Sequence, residues 1–293
     1  MVVTNNTLDP VNSALKAAHY TQGDAFQAEK QHVFAVEWLP LAATAQLVAT
    51  GDFVSANIGG WPVFAVRGGD GVVRALMNAC RHKKMLVVEQ AQGRCEFFRC
   101  RFHGWTYGLD GRFRDAPLPV APANPASDDQ HLTPLRTEIA HGMVFVNLSA
   151  AAASGDYTVL AGDGVARNYI GAVTTDINCN WKVLLEHVLM REPAAAWQWP
   201  LTIAHAVGEA RVTAQIMPRS FLRTRLISHV CGKPGIDHEG ALVRVNANAG
   251  ELQKACEVLQ AQRAAGIAFS ADNARVAALH NHVSAACALS ARS

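Results

Sequence analysis

Three features of the sequence predict an α+β architecture, a small antiparallel β domain followed by a sheet that grips a long carboxy-terminal helix. From Phe53 onward, short apolar runs are punctuated by glycine: 54–58, a turn at Gly59-Gly60, 62–66, a turn around Gly68 to Gly71, then 72–77. In the second half Trp181, Leu184, Leu185 and Val188 recur at helical spacing, which predicts an amphipathic helix from Trp181 to about Glu192, stopped by Pro193. Beyond it, 211–220, 222–230 and 241–249 read as strands, and 251–266 and 273–291 as helices.

The remaining stretches connect these blocks. Residues 1–45 read as helical or irregular packing, and Phe97-Phe98 as a strand ahead of a hairpin signal at Asp110-Gly111. A Pro- and Ala-rich excursion covers 116–125, a strand covers 141–149, and 150–156 is a linker. The expected division is therefore 1–45 packing on the carboxy-terminal domain, 46–150, and 151–293.

Bulk properties exclude little. With 26 basic and 24 acidic residues the net charge is +2, too small to argue for nucleic acid or a membrane surface. The amino terminus has no basic region leading into an apolar run, and no segment has eighteen uninterrupted apolar residues, so a soluble cytoplasmic protein is expected. The 7 cysteines lack disulfide-framework spacing.

The chemistry concentrates between Cys80 and Tyr107, where Cys80-x-His82 is followed, after 17 intervening residues, by Cys100-x-x-His103. Two loops, each with one thiolate and one imidazole, suit a [2Fe–2S] cluster in which Cys80 and Cys100 hold one iron and His82 and His103 the other. Zinc is the rival, although a zinc finger normally opens with two cysteines and closes with two histidines, whereas each pair here is mixed. Gly104 allows close backbone approach, while Trp105 and Tyr107 can shield and hydrogen-bond the site. Cys95 lies outside both pairs and reads as a bystander, and Cys179, Cys231, Cys256 and Cys287 as reduced thiols.

The residues CRH and CRFHGWTYGLDGRF resemble the Rieske motif of bacterial Rieske non-haem iron oxygenases, CRHRG followed by CPYHGWxY. Lys84 stands where that family usually has Gly, and Arg101 where it has Pro. The surrounding order also matches: Gly60 to Val63, Asp70-Gly71, Asn78 to His82, and the strand at 142–147. The resemblance implies a Rieske domain joined to a helix-grip (START-like) α+β catalytic domain, as in ring-hydroxylating oxygenase alpha subunits. It covers residues 20 to 190 well and the rest loosely, and the second half is shorter than in complete subunits.

That family opens its iron-binding helix with Asn-Trp-Lys, matched by Asn180-Trp181-Lys182. Two histidines and a later carboxylate then form a face that leaves positions open on mononuclear Fe(II). Carried over, the preceding acidic position falls on Met190 and the histidines on Pro193 and Gln198; a register one residue longer gives Arg191, Ala194 and Trp199. Neither supplies a histidine, which makes mononuclear Fe(II) doubtful. Trp197 and Trp199 are expected to plug the pocket. Asp272 matches the family's Asp ligand as a remnant, and equally an N-cap of the last helix. His187, His205, His229, His280 and His282 offer a displaced site, against the plainer reading of core and surface residues.

The resemblance thus implies a cluster-bearing oxygenase component, with a shortened, degenerate catalytic domain, that takes electrons from a reductase or ferredoxin. It would assemble with a related oxygenase subunit as a trimer or heterohexamer. The alternatives are a complete mono- or dioxygenase with atypical ligands, and a non-catalytic structural or regulatory subunit. Met190 at the bridging-acid position would weaken coupling into this subunit, with Glu192 a partial substitute. Arg81, Lys83, Lys84, Arg94, Arg99 and Arg101 form either a rim that steers an acidic donor or an ordinary solvated loop.

Overall fold

Paired glycine turns and half-buried strands build the first sheet as the sequence requires, and its edge strand comes from an unexpected place. In the computed structural model, which describes residues 15–267 and 273–290, the chain starts with α1 (Ala18–Thr21), α2 (Gly23–Glu29) and a wider π turn at Lys30–Phe34. Asp272 lies outside the described residues. Residues 39–43, read as helical or irregular, form instead the strand β1 (Leu39–Ala43). All of its residues are buried, so the polar alternation that marks a half-exposed strand is missing from the sequence.

There follow β2 (Asp52–Ile58), β3 (Trp61–Arg67), β4 (Val73–Met77), β5 (Gln92–Arg94), β6 (Phe98–Arg99), β7 (Thr106–Tyr107), β8 (Phe113–Asp115), β9 (Pro134–Ala140) and β10 (Met143–Asn147). They make an antiparallel sheet in the order β1-β10-β9-β4-β3-β2-β5 and a small sheet β6-β7-β8. A separate apolar core, including Phe64, Leu76, Phe98 and Leu132, packs beneath the loops that carry the cysteines.

The second half comprises β11 (Asn168–Ile177), α3 (Trp181–Arg191), β12 (Ala196–Gln198), β13 (Thr202–Val207), β14 (Ala210–Ser220), β15 (Arg223–Gly232), α4 (His238–Ala264) and α5 (Ala274–Ser290). Its sheet runs β11-β15-β14-β13-β12, antiparallel throughout, with helices laid against it in the helix-grip manner. Gln215 on β14 ties the two sheets together, its Nε2 donating to the carbonyls of Pro40 and Leu41 at 2.9 and 3.1 Å.

Two sequence readings need correction here. Residues 241–249 are not a strand but part of the 27-residue α4. Alternating Val and polar residues mimic a strand, yet the buried positions Ala241, Val245 and Ala249 recur every four residues, and Asp237 caps the helix by accepting from the Gly240 N–H at 3.0 Å. Helix α3 has the expected span, but it is not amphipathic. Lys182 and Glu186 are buried with its apolar residues, because α2 and α5 cover the face that water would otherwise wet.

Candidate metal centre

Each motif loop is a tight turn closed by the same pair of backbone bonds. Lys84 N–H donates to Cys80 O and Cys80 N–H to Met85 O, both at 2.8 Å; Gly104 N–H donates to Cys100 O at 3.0 Å and Cys100 N–H to Trp105 O at 2.8 Å. The fourth residue after each cysteine has a left-handed backbone, Lys84 with φ 58° and Gly104 with φ 73°. At Gly104 a Cβ would come within 3.0 Å of Pro117, so glycine is required. Lys84 occupies the matching position with a side chain. We expect Lys84→Gly to stabilise the protein by about 1 kcal/mol by removing left-handed strain, as read by urea unfolding; a loss of stability would mean that the loop carries no such strain.

The loops place the four expected ligands as two like pairs. Cys80 and Cys100 are buried side by side, whereas His103 is exposed and His82 half-buried, with ring centroids 4.6 Å apart. The Nδ1 of His82 is buried and without a hydrogen-bond partner. Burial, and then His103 and Lys83, depress its pKa and favour the neutral ring that can donate to a metal. Burial pushes the Cys100 thiol up. Among the described residues no group of three or more His, Cys, Asp or Glu is placed around one ion. A cluster of two irons, one for each like pair, fits this arrangement, and the orphaned imidazole nitrogen supplies a donor for it.

The flanking aromatics act as the sequence suggested. Trp105 stacks on His82 at 5.2 Å and 7° and is fixed by its Nε1, which donates to Val120 O at 2.8 Å; the Pro-rich excursion thereby anchors the site's cover. The Tyr107 hydroxyl lies 3.1 Å from Cys80 Sγ and accepts from the Arg81 N–H at 3.0 Å, which orients its proton toward the sulfur. A hydrogen bond to a ligating sulfur favours the reduced state. We therefore expect Tyr107→Phe to lower the reduction potential by about 50 mV, the one-electron equivalent of a bond worth roughly 1 kcal/mol, measured by film voltammetry. An unchanged potential would remove Tyr107 from this role.

The charged rim is weaker than its sequence suggests. Arg81 is held by the Asp129 carbonyl and Thr133, Arg94 by Asp52, and Arg101 by Glu89. Lys83, Lys84 and Arg99 are exposed, and no ion pair among the described residues engages them. Phe102 is exposed on the second motif loop, and Leu118 on the Pro-rich excursion. Cys95 is half-buried and stands apart from the ligand pairs.

The residues carried over from the family's second metal site lie around the end of α3 and on β12. Pro193 lies just past α3, Met190 is exposed, and Gln198 ends β12. Trp199 stacks on His282 of α5 at 4.7 Å and 20° and lies 6.1 Å from Trp181 of α3, and Trp197 meets His282 edge-on, so both indoles pack between α3 and α5; a separate cavity of about 320 Å³ lies between α3, the sheet and α4. The indoles prefer α5 because they can bury their faces against an aromatic partner there.

Sequence reasoning missed Arg275. Its guanidinium donates to the carbonyls of Glu192 (3.1 Å), Pro193 (3.2 Å) and Ala195, clamping the loop after α3 to α5. The other histidines separate. His187 and His205 line the cavity, His280 bonds the buried Glu186 at 2.7 Å, and His229, whose pKa burial lowers to about 4, faces Gln215 at 3.3 Å.

Residues 37–130 match the model of the Rieske [2Fe–2S] domain. This chain is homologous to the alpha subunits of Rieske oxygenases. The chain is 31% identical over 206 residues to chlorobenzene dioxygenase subunit alpha of Cupriavidus sp. (strain PS12), covering 64% of this chain and 44% of that protein. To the carnitine monooxygenase oxygenase subunit of Escherichia coli (strain K12) it is 34% identical over 140 residues, covering 48% and 37%. It therefore spans less than half the length of these curated relatives. Its fold is similar to that of the quaternary ammonium Rieske monooxygenase CntA, with a TM-score of 0.78 at 19% identity over 95% of this chain and 97% of the other. Naphthalene 1,2-dioxygenase follows at 0.64 and 15%, over 87% and 83%. No helix among the described residues is long and apolar enough to cross a membrane.

Proposed function

We propose that this chain is the [2Fe–2S] subunit of a multicomponent oxygenase or demethylase system. It accepts electrons from a reductase or ferredoxin and supports a related partner subunit that holds the active mononuclear iron. In this reading Cys80 and Cys100 hold one iron of the cluster, and His82 and His103 hold the other at the exposed end, next to Phe102 and Leu118, where partners dock. When bound, the cluster supplies one-electron transfer. Tyr107 donates a hydrogen bond to the Cys80 sulfur, and Trp105 keeps water from the His82 ring.

The observation that carries the reading is a contrast between the halves. The first has a complete donor set with an orphaned imidazole nitrogen. In the second, Pro193 and Gln198 stand at the expected histidine positions and Met190 at that of the bridging acid, and the Arg275 cation already binds the loop that contains Pro193. In this reading those positions supply no histidine for a mononuclear Fe(II), and no step is assigned to one. In this reading Asp272, outside the described residues, is a remnant of that site. A structure of CntA is described as giving insight into inter-subunit electron transfer, which suits division of labour within a trimer or heterohexamer.

Iron and acid-labile sulfide content tests this. About two irons per two sulfides is expected, with no oxygen consumption until the partner subunit is added. About three irons, with oxygen consumed by the isolated protein, would overturn it in favour of a complete oxygenase. One observation favours that second reading: His187, His205 and Glu192 line a common cavity. If Cys100→Ser loses the cluster yet leaves assembly and partner turnover unchanged, the subunit is structural rather than electron-carrying.

A further inference from the structure

The cavity between α3 and α4 has a use that the cluster does not explain. Its volume of about 320 Å³ falls within the range of small-molecule sites, and Leu184, Ile203, Leu226 and Val245 give it an apolar floor. Its polar lining includes, besides His187, His205 and Ser228, four exposed side chains: Arg191 and Glu192 from the end of α3, and Asn248 and Glu251 from the middle of α4. Burial lowers the pKa of His187 and of His205, so both lining imidazoles are held toward their neutral forms. Two carboxylates therefore face one guanidinium, beside the carbonyl end of α3, where the helix dipole is negative. Arg275, the other nearby cation, is engaged by backbone carbonyls. No ion pair among the described residues engages Glu192 or Glu251.

The lining also discriminates between kinds of cation. Among the described residues it contains no Phe, Tyr or Trp, so these residues build no aromatic cage of the kind that recognises a quaternary ammonium. Carboxylate and amide oxygens instead accept N–H hydrogen bonds, which a quaternary nitrogen cannot donate.

We propose that the α3–α4 cavity binds a small protonated alkylamine, its tail on the apolar floor and its ammonium between Glu192 and Glu251, and that this chain holds the amine without converting it. The last clause rests on the function proposed above; the binding site does not. The pocket would make the subunit responsive to an amine while its partner carries out the oxidation.

The test is calorimetric titration of the cluster-loaded protein at neutral pH with 3-methylbutylamine, its neutral counterpart 3-methylbutan-1-ol, and the N,N,N-trimethyl derivative of the amine. The amine should bind saturably at one site, with the other two at least about tenfold weaker, the factor expected for a charged hydrogen bond. E251Q should weaken the amine by a similar factor while leaving the unfolding temperature of the ligand-free protein and its iron content unchanged. Absence of amine binding, equal or tighter binding of the alcohol or the quaternary compound, or an E251Q variant with wild-type amine affinity would each overturn the site. Amine-dependent oxygen consumption by the isolated protein would overturn the non-catalytic clause and leave the site standing.

Discussion

Replacing Lys182 with methionine is expected to destabilise the protein by about 3–5 kcal/mol, the usual cost of stranding one partner of a buried ion pair. Lys182 and Glu29 are both 0% exposed and bonded to each other, and the Trp181 indole donates to the same carboxylate at 2.6 Å. Without the ammonium, Glu29 keeps a buried charge with one neutral donor. The double variant Lys182→Met/Glu29→Leu should recover most of the loss, since no buried charge remains. Urea unfolding followed by tryptophan fluorescence measures both; a double variant as unstable as the single one would show that lost packing, not stranded charge, is responsible. Because Glu29 ends α2, the single variant should also release the amino-terminal helices to protease.

Arg275→Gln is expected to lower stability by about 2–3 kcal/mol, since three carbonyls of the loop after α3 lose a charged donor. Arg275→Lys should rescue little, because an ammonium on a flexible stem cannot span three acceptors as a planar guanidinium does. Thermal unfolding checks both, and near-native behaviour of the lysine variant would show that charge alone suffices. Ferrous iron added to Arg275→Gln should not restore the melting temperature. If it did, and a third iron were bound, the loop would still be a metal site.

Much of the first half was legible because its information is local. Cys80, His82, Cys100 and His103 sit in two turns whose shape depends on neighbours within five residues, so spacing alone carries the geometry. The same holds for α3, which begins at the Asn180 cap, whose side chain accepts from Lys182 N–H at 3.1 Å, and ends just before Pro193. Legibility failed where burial depends on distant partners. Residues 241–249 alternate like a strand, and only contact with β11 and β15 selects the four-residue spacing that makes them a helix. Residues 39–43 are apolar without a period, and pairing with β10 makes them a strand. That Trp197 and Trp199 pack on α5 depends on a stacking partner 83 residues past Trp199, His282.

By itself the sequence determined the four-residue motif, the two-part α+β plan and the lack of histidines at positions 193 and 198, since each depends only on which residues stand at which spacing. The tertiary structure alone decided that a cavity lies between α3, the sheet and α4, that Arg275 clamps the loop beyond α3, and that Lys182 and Glu186 are buried with partners from the amino-terminal helices and α5. These outcomes compare the burial of a side chain against one surface with its burial against another, far away in the chain. That comparison exists only once the helices have packed on the sheet.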